Sequence, residues 1–212
     1  MRLMKEKLLL ILKTKIIMKI IGINGSPWKD GNTSLIIKVI FKELEKEGIS
    51  TELIELSDVK IKPCRIAKGD KCFACSNKGN CVFNDNDFDQ IFEKIKEAGG
   101  IILGSPVYGA SITTEMKVFL DRMGISSIFN PETLRHKVGA SVSAVRRAGV
   151  MEIINMMNNV MPFREMIIVG SNYWNMVYGK DIGDVLNDDE GIANMKNIGQ
   201  NMACSLKKII NI

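Results

Sequence analysis

The sequence lacks any uninterrupted apolar run long enough to cross a bilayer. Its nearest approach, "LLLILKTKII", is broken by Lys13 and Lys15. That stretch has the basic start of a signal peptide, but no small-residue cleavage site follows it. Positive charge is also scarcer than the overall net of +5 suggests. Residues 1–17 hold Arg2, Lys5, Lys7, Lys13 and Lys15 against Glu6, a net of +4, leaving about +1 for the remainder. A near-neutral domain gives no case for nucleic-acid binding. Two common phosphate loops are missing as well. Gly31 is followed by Asn32-Thr33 rather than Lys-Ser/Thr, which excludes the Walker pattern. Gly22 and Gly25 are three apart, which excludes the Gly-x-Gly-x-x-Gly dinucleotide turn. Repeats and low-complexity linkers are absent, and 212 residues suffice for one well-buried domain.

The domain is expected over 18–212. Residues 1–17 are expected to be a disordered or upstream-start extension, with a membrane-associating or partner-binding helix as the alternative. With no export signal, the expected compartment is the reducing cytoplasm, and no membrane partner is expected. The five cysteines then read as thiols or metal ligands rather than disulfides.

Apolar runs alternate with helical patterns along the rest of the chain. "KIIGIN" (19–24) reads as a buried strand, and residues 33–47 carry Leu35, Ile36, Val39, Ile40 and Leu44 at helical spacing until Gly48. "STELIEL" (50–56) alternates as a less buried strand does. Residues 57–84 have no sustained period, and a loop of that length in a compact domain is usually functional. Asp85 or Asp87 caps the next expected helix, lined by Phe88, Ile91, Phe92 and Ile95. "GGIILGSPV" (99–107) suits a central strand, followed by a helix with Met116, Phe119, Leu120 and Met123 on one face. Residues 137–145 form a strand, 151–161 a helix and 166–172 the fifth strand. A polar loop then leads to a last helix that opens on Asp188, Asp189 and Glu190 and runs to about Ile210. On that helix Cys204 is expected in the core. Five β/α units predict an α/β, doubly wound, five-stranded parallel sheet with helices on both faces. The expected strand order is the flavodoxin-like 2-1-3-4-5, with ligands at the carboxyl ends of strands 1 and 3.

The stretch "INGSPWKDGNTS" (23–34) lies where strand 1 meets its helix. Free backbone N–H groups and the positive end of the helix dipole converge there. Ser26, Asn32, Thr33 and Ser34 add short side-chain donors, and no cysteine of the phosphatase kind is present. The loop is therefore a seat for a phosphate, or else Asn32 or Thr33 merely caps the helix. After strand 3, "GSPVYGASITTEMKVFLDR" places Pro106, Val107, Tyr108 and Gly109 beside it, where an aromatic on a small-residue turn can line a flat ring. "SAVRRAG" puts Arg146 and Arg147 at the end of strand 4, either facing a ligand or solvated.

Together these segments, with "SNYWNMVYGKDIGDVLNDDEG", resemble the NAD(P)H-dependent FMN reductase and iron–sulfur flavoprotein group of the flavodoxin-like superfamily. The resemblance runs from about Met18 to the C-terminus. It implies non-covalent FMN, with Ser26, Trp28, Asn32 and Thr33 at the phosphate. Pro106, Val107, Tyr108 and Gly109 would lie on the isoalloxazine, and Arg146 and Arg147 near its polar edge. Family members often carry a basic residue where Trp28 stands, so one charge-assisted phosphate contact is lost here. Tyr173 and Trp174 would lie near the flavin or at a subunit contact, or simply pack their loop. The chemistry would belong to the flavin, with hydride from NAD(P)H and electrons passed to a small-molecule or protein acceptor. No acid/base triad is expected, and the sole histidine, His136, is expected to be exposed. A homodimer or homotetramer is implied. A non-catalytic electron carrier and a zinc or thiol redox sensor are the alternatives.

Cys64, Cys72, Cys75 and Cys81 read C-x7-C-x2-C-x5-C. Four thiolates from a loop with a compact C-x2-C nucleus suit a [4Fe–4S] cluster. Cluster-bearing members of the resembled group have tighter spacing, commonly C-x2-C-x2-C and then a fourth cysteine. Zinc on the same sulfurs, or free redox-active thiols whose pKa values Arg65, Lys68, Lys71 and Lys78 would lower, are the other readings.

Overall fold

The computed structural model describes residues 18–64 and 86–210. The expected extension at 1–17, and Cys72, Cys75 and Cys81 with most of their loop, lie outside the described residues.

The chain opens with β1 (Lys19–Asn24), α1 (Asn32–Lys46) and β2 (Ser50–Glu55), then a 3-10 turn at Leu56–Asp58. After the undescribed stretch come α2 (Asn86–Glu97), β3 (Gly100–Gly104), α3 (Thr114–Ile128) and β4 (Val138–Val145). The last part contains α4 (Val150–Asn158), the four-residue α5 (Val160–Phe163), β5 (Ile167–Ile168), β6 (Met176–Tyr178) and α6 (Asp189–Ile210). The strands run parallel in the order β2-β1-β3-β4-β5, with β6 also paired to β4. This is the expected 2-1-3-4-5 sheet. No helix among the described residues is long and apolar enough to cross a membrane.

Strand periodicity divides the core in two. Ile20, Ile102, Ala140 and Val142 meet α1 and α6 on one face, through Ile36, Ile37, Ile40, Met195 and Met202. Ile21, Ile23, Ile101 and Leu103 meet α2, α3 and α4 on the other, through Phe88, Met116, Phe119 and Ile153. Burying each of the three β1 isoleucines contributes about 2 kcal/mol. All five residues of β3 are buried, as its uninterrupted apolar run implies. Gly104 brings α1 close to the sheet: a Cβ there would lie 2.7 Å from Ile37 Cδ1 and 2.9 Å from Thr33 Cγ2. The first turn of α1 thus sits directly over the carboxyl end of β3.

Three expectations are corrected. The fifth strand is not one run over 166–172. β5 pairs with Val138 and Gly139, and β6 pairs with Ser143, Ala144 and Val145. Asn175 spans the break: its Oδ1 accepts from the Ser171 N–H and its Nδ2 donates to the Ser141 carbonyl. That side chain takes the Ser141 carbonyl at the break, while backbone bonds persist on either side, Val169 N–H to Gly139 O and Ser143 N–H to Asn175 O. Helix 151–161 is divided into α4 and α5. Cys204 is exposed, not core, because Met202, Ala203 and Leu206 take the inward face of α6. His136 is exposed, as expected.

Lys137 is buried just before β4. Its ammonium donates to the carbonyls of Ile95 (2.5 Å) and Lys96 (2.7 Å), the open end of α2. Burial pushes its pKa down from the ordinary 10.5 to about 8. Between those values the unfolded chain binds more protons, so this residue makes stability rise with pH through that window. Wild type should therefore gain about 1 kcal/mol on Lys137→Met between pH 7 and pH 9, read by urea unfolding. A constant difference between the two proteins would contradict this.

Candidate functional site

The carboxyl ends of β1, β3, β4 and β6 surround a cleft of about 370 Å³. Its first wall is Ser26, Trp28, Gly31, Asn32 and Thr33, and its second is Pro106, Val107 and Tyr108. Ala144 and Arg146, at the end of β4, form the third, and Gly179, Lys180, Asp181 and Ile182, beyond β6, the fourth.

The first wall is shaped from outside the cleft. Asn24, fully buried at the end of β1, donates through Nδ2 to Glu55 Oε2 (2.5 Å) and accepts the Ser26 N–H at Oδ1 (3.0 Å). Ser26 Oγ in turn accepts the Trp28 N–H (3.1 Å). Burial raises the Glu55 carboxyl above its ordinary pKa, although the Asn24 bond opposes that shift. From the β3 side, Gly25 N–H donates to the Gly104 carbonyl (2.8 Å), and Thr113 Oγ1 donates to the Gly25 carbonyl (2.6 Å). The same Thr113 oxygen caps α3 by accepting the Met116 N–H.

α1 then begins without a cap. Gly31, at its N-cap position, has no side chain to offer, and no acidic residue occupies the first turn. The other helices longer than four residues carry Asp87 and Asp89, Glu115, Glu152, or Asp189 and Glu190 there. The amides of Asn32, Thr33 and Ser34 are consequently left for an anion from outside. The cations nearest this turn are held in ion pairs, Lys29 of the loop with Asp58 (2.7 Å) and Lys38 of α1 with Asp30 (2.6 Å). Lys29 is held above the usual lysine range by its hydrogen bond to Asp58, and Asp30 below the usual carboxylate range by its bond to Lys38.

Eight of the residues expected at the site line this cleft: Ser26, Trp28, Asn32, Thr33, Pro106, Val107, Tyr108 and Arg146. Three do not. Ser34, in the first turn of α1, is fully buried, and Arg147 is exposed to solvent. Gly109 is at the tip of a tight turn between Tyr108 and Ser111, whose amides and carbonyls pair in both directions. Gly109 and Ala110 both have φ +57°, as a type I′ turn requires. Asn32 has a role beyond its backbone. Its Nδ2 donates to the Asp181 carbonyl (2.9 Å) and its Oδ1 accepts the Gly183 N–H (2.8 Å), so its side chain clasps the fourth wall. That wall, Gly179–Ile182, escapes sequence reasoning because β6 does. The signal available was "MVYGKD", a short apolar run ending in glycine like the ends of the other strands.

Tyr173 and Trp174 are exposed on the β5–β6 loop, their rings 5.9 Å apart, and border a separate hollow with Tyr178. Cys64 is half-buried at the edge of a larger cavity of about 540 Å³, beside Ile112, Lys117, Leu120, Met156 and Phe163. Arg122 fixes the chain just before it by donating to the Lys62 carbonyl (2.9 Å). Among the described residues no three His, Cys, Asp or Glu side chains gather as a metal site.

The family model described as NADPH-dependent FMN reductase matches residues 18–181. An iron–sulfur flavoprotein of Methanocaldococcus jannaschii is 39% identical over 199 residues, covering 91% of this chain and 99% of the relative. An iron–sulfur flavoprotein of Methanosarcina thermophila is 35% identical over 157 residues, covering 73% and 78%. Among solved structures, a flavone reductase superposes with a TM-score of 0.69 at 20% identity, over 90% of this chain and 64% of that one, a likeness of fold. The parallel sheet, the uncapped helix at its carboxyl edge and these relatives lead to one assignment: the chain belongs to the NADPH-dependent FMN reductase family, FMN-dependent oxidoreductases of flavodoxin-like fold.

Proposed function

We propose that this protein takes electrons from NAD(P)H into FMN held in the cleft and passes them to an acceptor, by way of a [4Fe–4S] cluster on the cysteine loop. The observation that carries the flavin site is the start of α1, where a first turn without cap or carboxylate faces a cleft. Its chemistry fits FMN at both ends. Amides and the Ser26 and Thr33 hydroxyls suit a phosphate, and the Pro106, Val107, Tyr108 wall suits a flat ring.

When bound, FMN supplies hydride acceptance and transfer of one or two electrons. The chain's part is placement. Asn32, Thr33 and Ser34 hold the phosphate through their amides, with Ser26 and Trp28 on the preceding turn. Pro106, Val107 and Tyr108 lie along the ring, with Gly109 giving their turn its shape. Arg146 approaches the ring's polar edge, where a cation favours added negative charge, and Arg147 adds to the field from outside. Among the described residues neither arginine is held in an ion pair. Tyr108, 47% exposed, shields one side of the cleft from water.

Titration of the purified protein with FMN should quench flavin fluorescence at one flavin per chain, and the loaded protein should oxidise NADH or NADPH with an artificial acceptor. FMN uptake without turnover would identify an electron carrier instead, and a flat titration would overturn the flavin site.

The cluster proposal rests on the spacing of Cys64, Cys72, Cys75 and Cys81 and on relatives named iron–sulfur flavoprotein. Anaerobically purified protein should contain about four iron and four sulfide per chain. Zinc without sulfide would favour a zinc-bound sensor loop.

Association into a homodimer or homotetramer belongs to the same reading, supported by the exposed aromatics Trp28, Tyr108, Tyr173 and Trp174. Light scattering should give a mass of two or four chains, and a monomer would contradict it.

A further inference from the structure

We propose that Lys180 supplies the charge-assisted phosphate contact that the Ser26–Thr33 loop lacks, and that the Asn32 carboxamide delivers it. The inference rests on the FMN reading above. In the loop Trp28 offers no charge and Lys29 is held by Asp58, and Lys38 on α1 is held by Asp30. The cleft nevertheless contains two cations, Arg146 and Lys180. Arg146 follows β4, whose Val145 pairs with Tyr178 and accepts the Gly179 N–H, so it stands at the end of the neighbouring strand. Lys180 stands one residue from the carbonyl that Asn32 grips on the first turn of α1.

That grip is two-sided, Asn32 Nδ2 to Asp181 O and Gly183 N–H to Asn32 Oδ1. The Asp184 carboxylate completes the turn by accepting the amides of Lys180 (3.1 Å) and Asp181 (2.7 Å). The backbone of 180–183 is thus fixed against α1, while the Lys180 ammonium is only loosely held. Among the described residues its ion-pair partner is Asp181 at 3.9 Å, with both side chains largely exposed. A pair this long and this wet contributes little. A phosphate dianion lying on the helix amides is the stronger partner. A residue about 150 positions downstream so restores the charge that Trp28 removed.

The test compares FMN with riboflavin, which has the same ring and no phosphate. In fluorescence titrations at low salt, Lys180→Met should weaken FMN binding about tenfold or more and leave riboflavin binding within about twofold. Lys180→Arg should restore most of the FMN affinity. Asn32→Ala should show the same FMN-selective loss, and combining it with Lys180→Met should add little further loss. Unchanged FMN affinity in Lys180→Met, equal losses for both flavins, or full additivity with Asn32→Ala would overturn the inference and leave the flavin site standing. If the wild type bound no FMN, site and inference would fall together.

Discussion

The unclaimed first turn of α1 is the constraint around which the rest of this structure is arranged. A helix start this close to a buried sheet must satisfy its amides somewhere. The other long helices do so with an acidic residue in the first turn, and α3 adds the Thr113 cap. α1 has only Gly31 at its N-cap position and Asn32, Thr33 and Ser34 behind it. Such an end carries a standing demand for negative charge, and an exogenous phosphate answers it without adding a carboxylate that would repel the ligand.

Around that turn, each contact limits motion. The small side of Gly104 lets α1 settle onto the sheet, and Gly25 and Thr113 tie the first loop to the third. Glu55 and Asn24 hold the loop from the side of β2. Asn32 ties it to the fourth wall. Four strand ends therefore meet through hydrogen bonds to one short loop, which suits a chemistry that needs a placed cofactor more than a reactive side chain. The Tyr108–Ser111 turn joins two regions. Pro106 to Tyr108 line the cleft, whereas Ile112 lines the cavity that Cys64 borders.

Much of this is legible in the sequence, for local reasons. β1 and β3 are uninterrupted apolar runs, Gly48 closes α1, and the loop between Ile23 and Ser34 has the composition of an anion seat. The strand order follows from five β/α units and right-handed crossovers. What is not legible depends on partners distant in the chain. At the break in the fifth strand the Asn175 side chain takes the Ser141 carbonyl, and nothing in "SNYWN" marks that residue as a strand substitute. Asn32 reads as a phosphate donor because its clasp partner is about 150 residues away. Cys204 reads as core because its neighbours are apolar, yet the helical period turns it outward.

A ¹H–¹⁵N NMR titration with FMN reads the phosphate seat on α1 directly, through the backbone amides of Asn32, Thr33 and Ser34. Acceptance of the phosphate by that first turn predicts that these three signals move far downfield and saturate together at one equivalent. If they stayed in place while other amides shifted with bound flavin, the phosphate would lie elsewhere and the first turn of α1 would not be its seat.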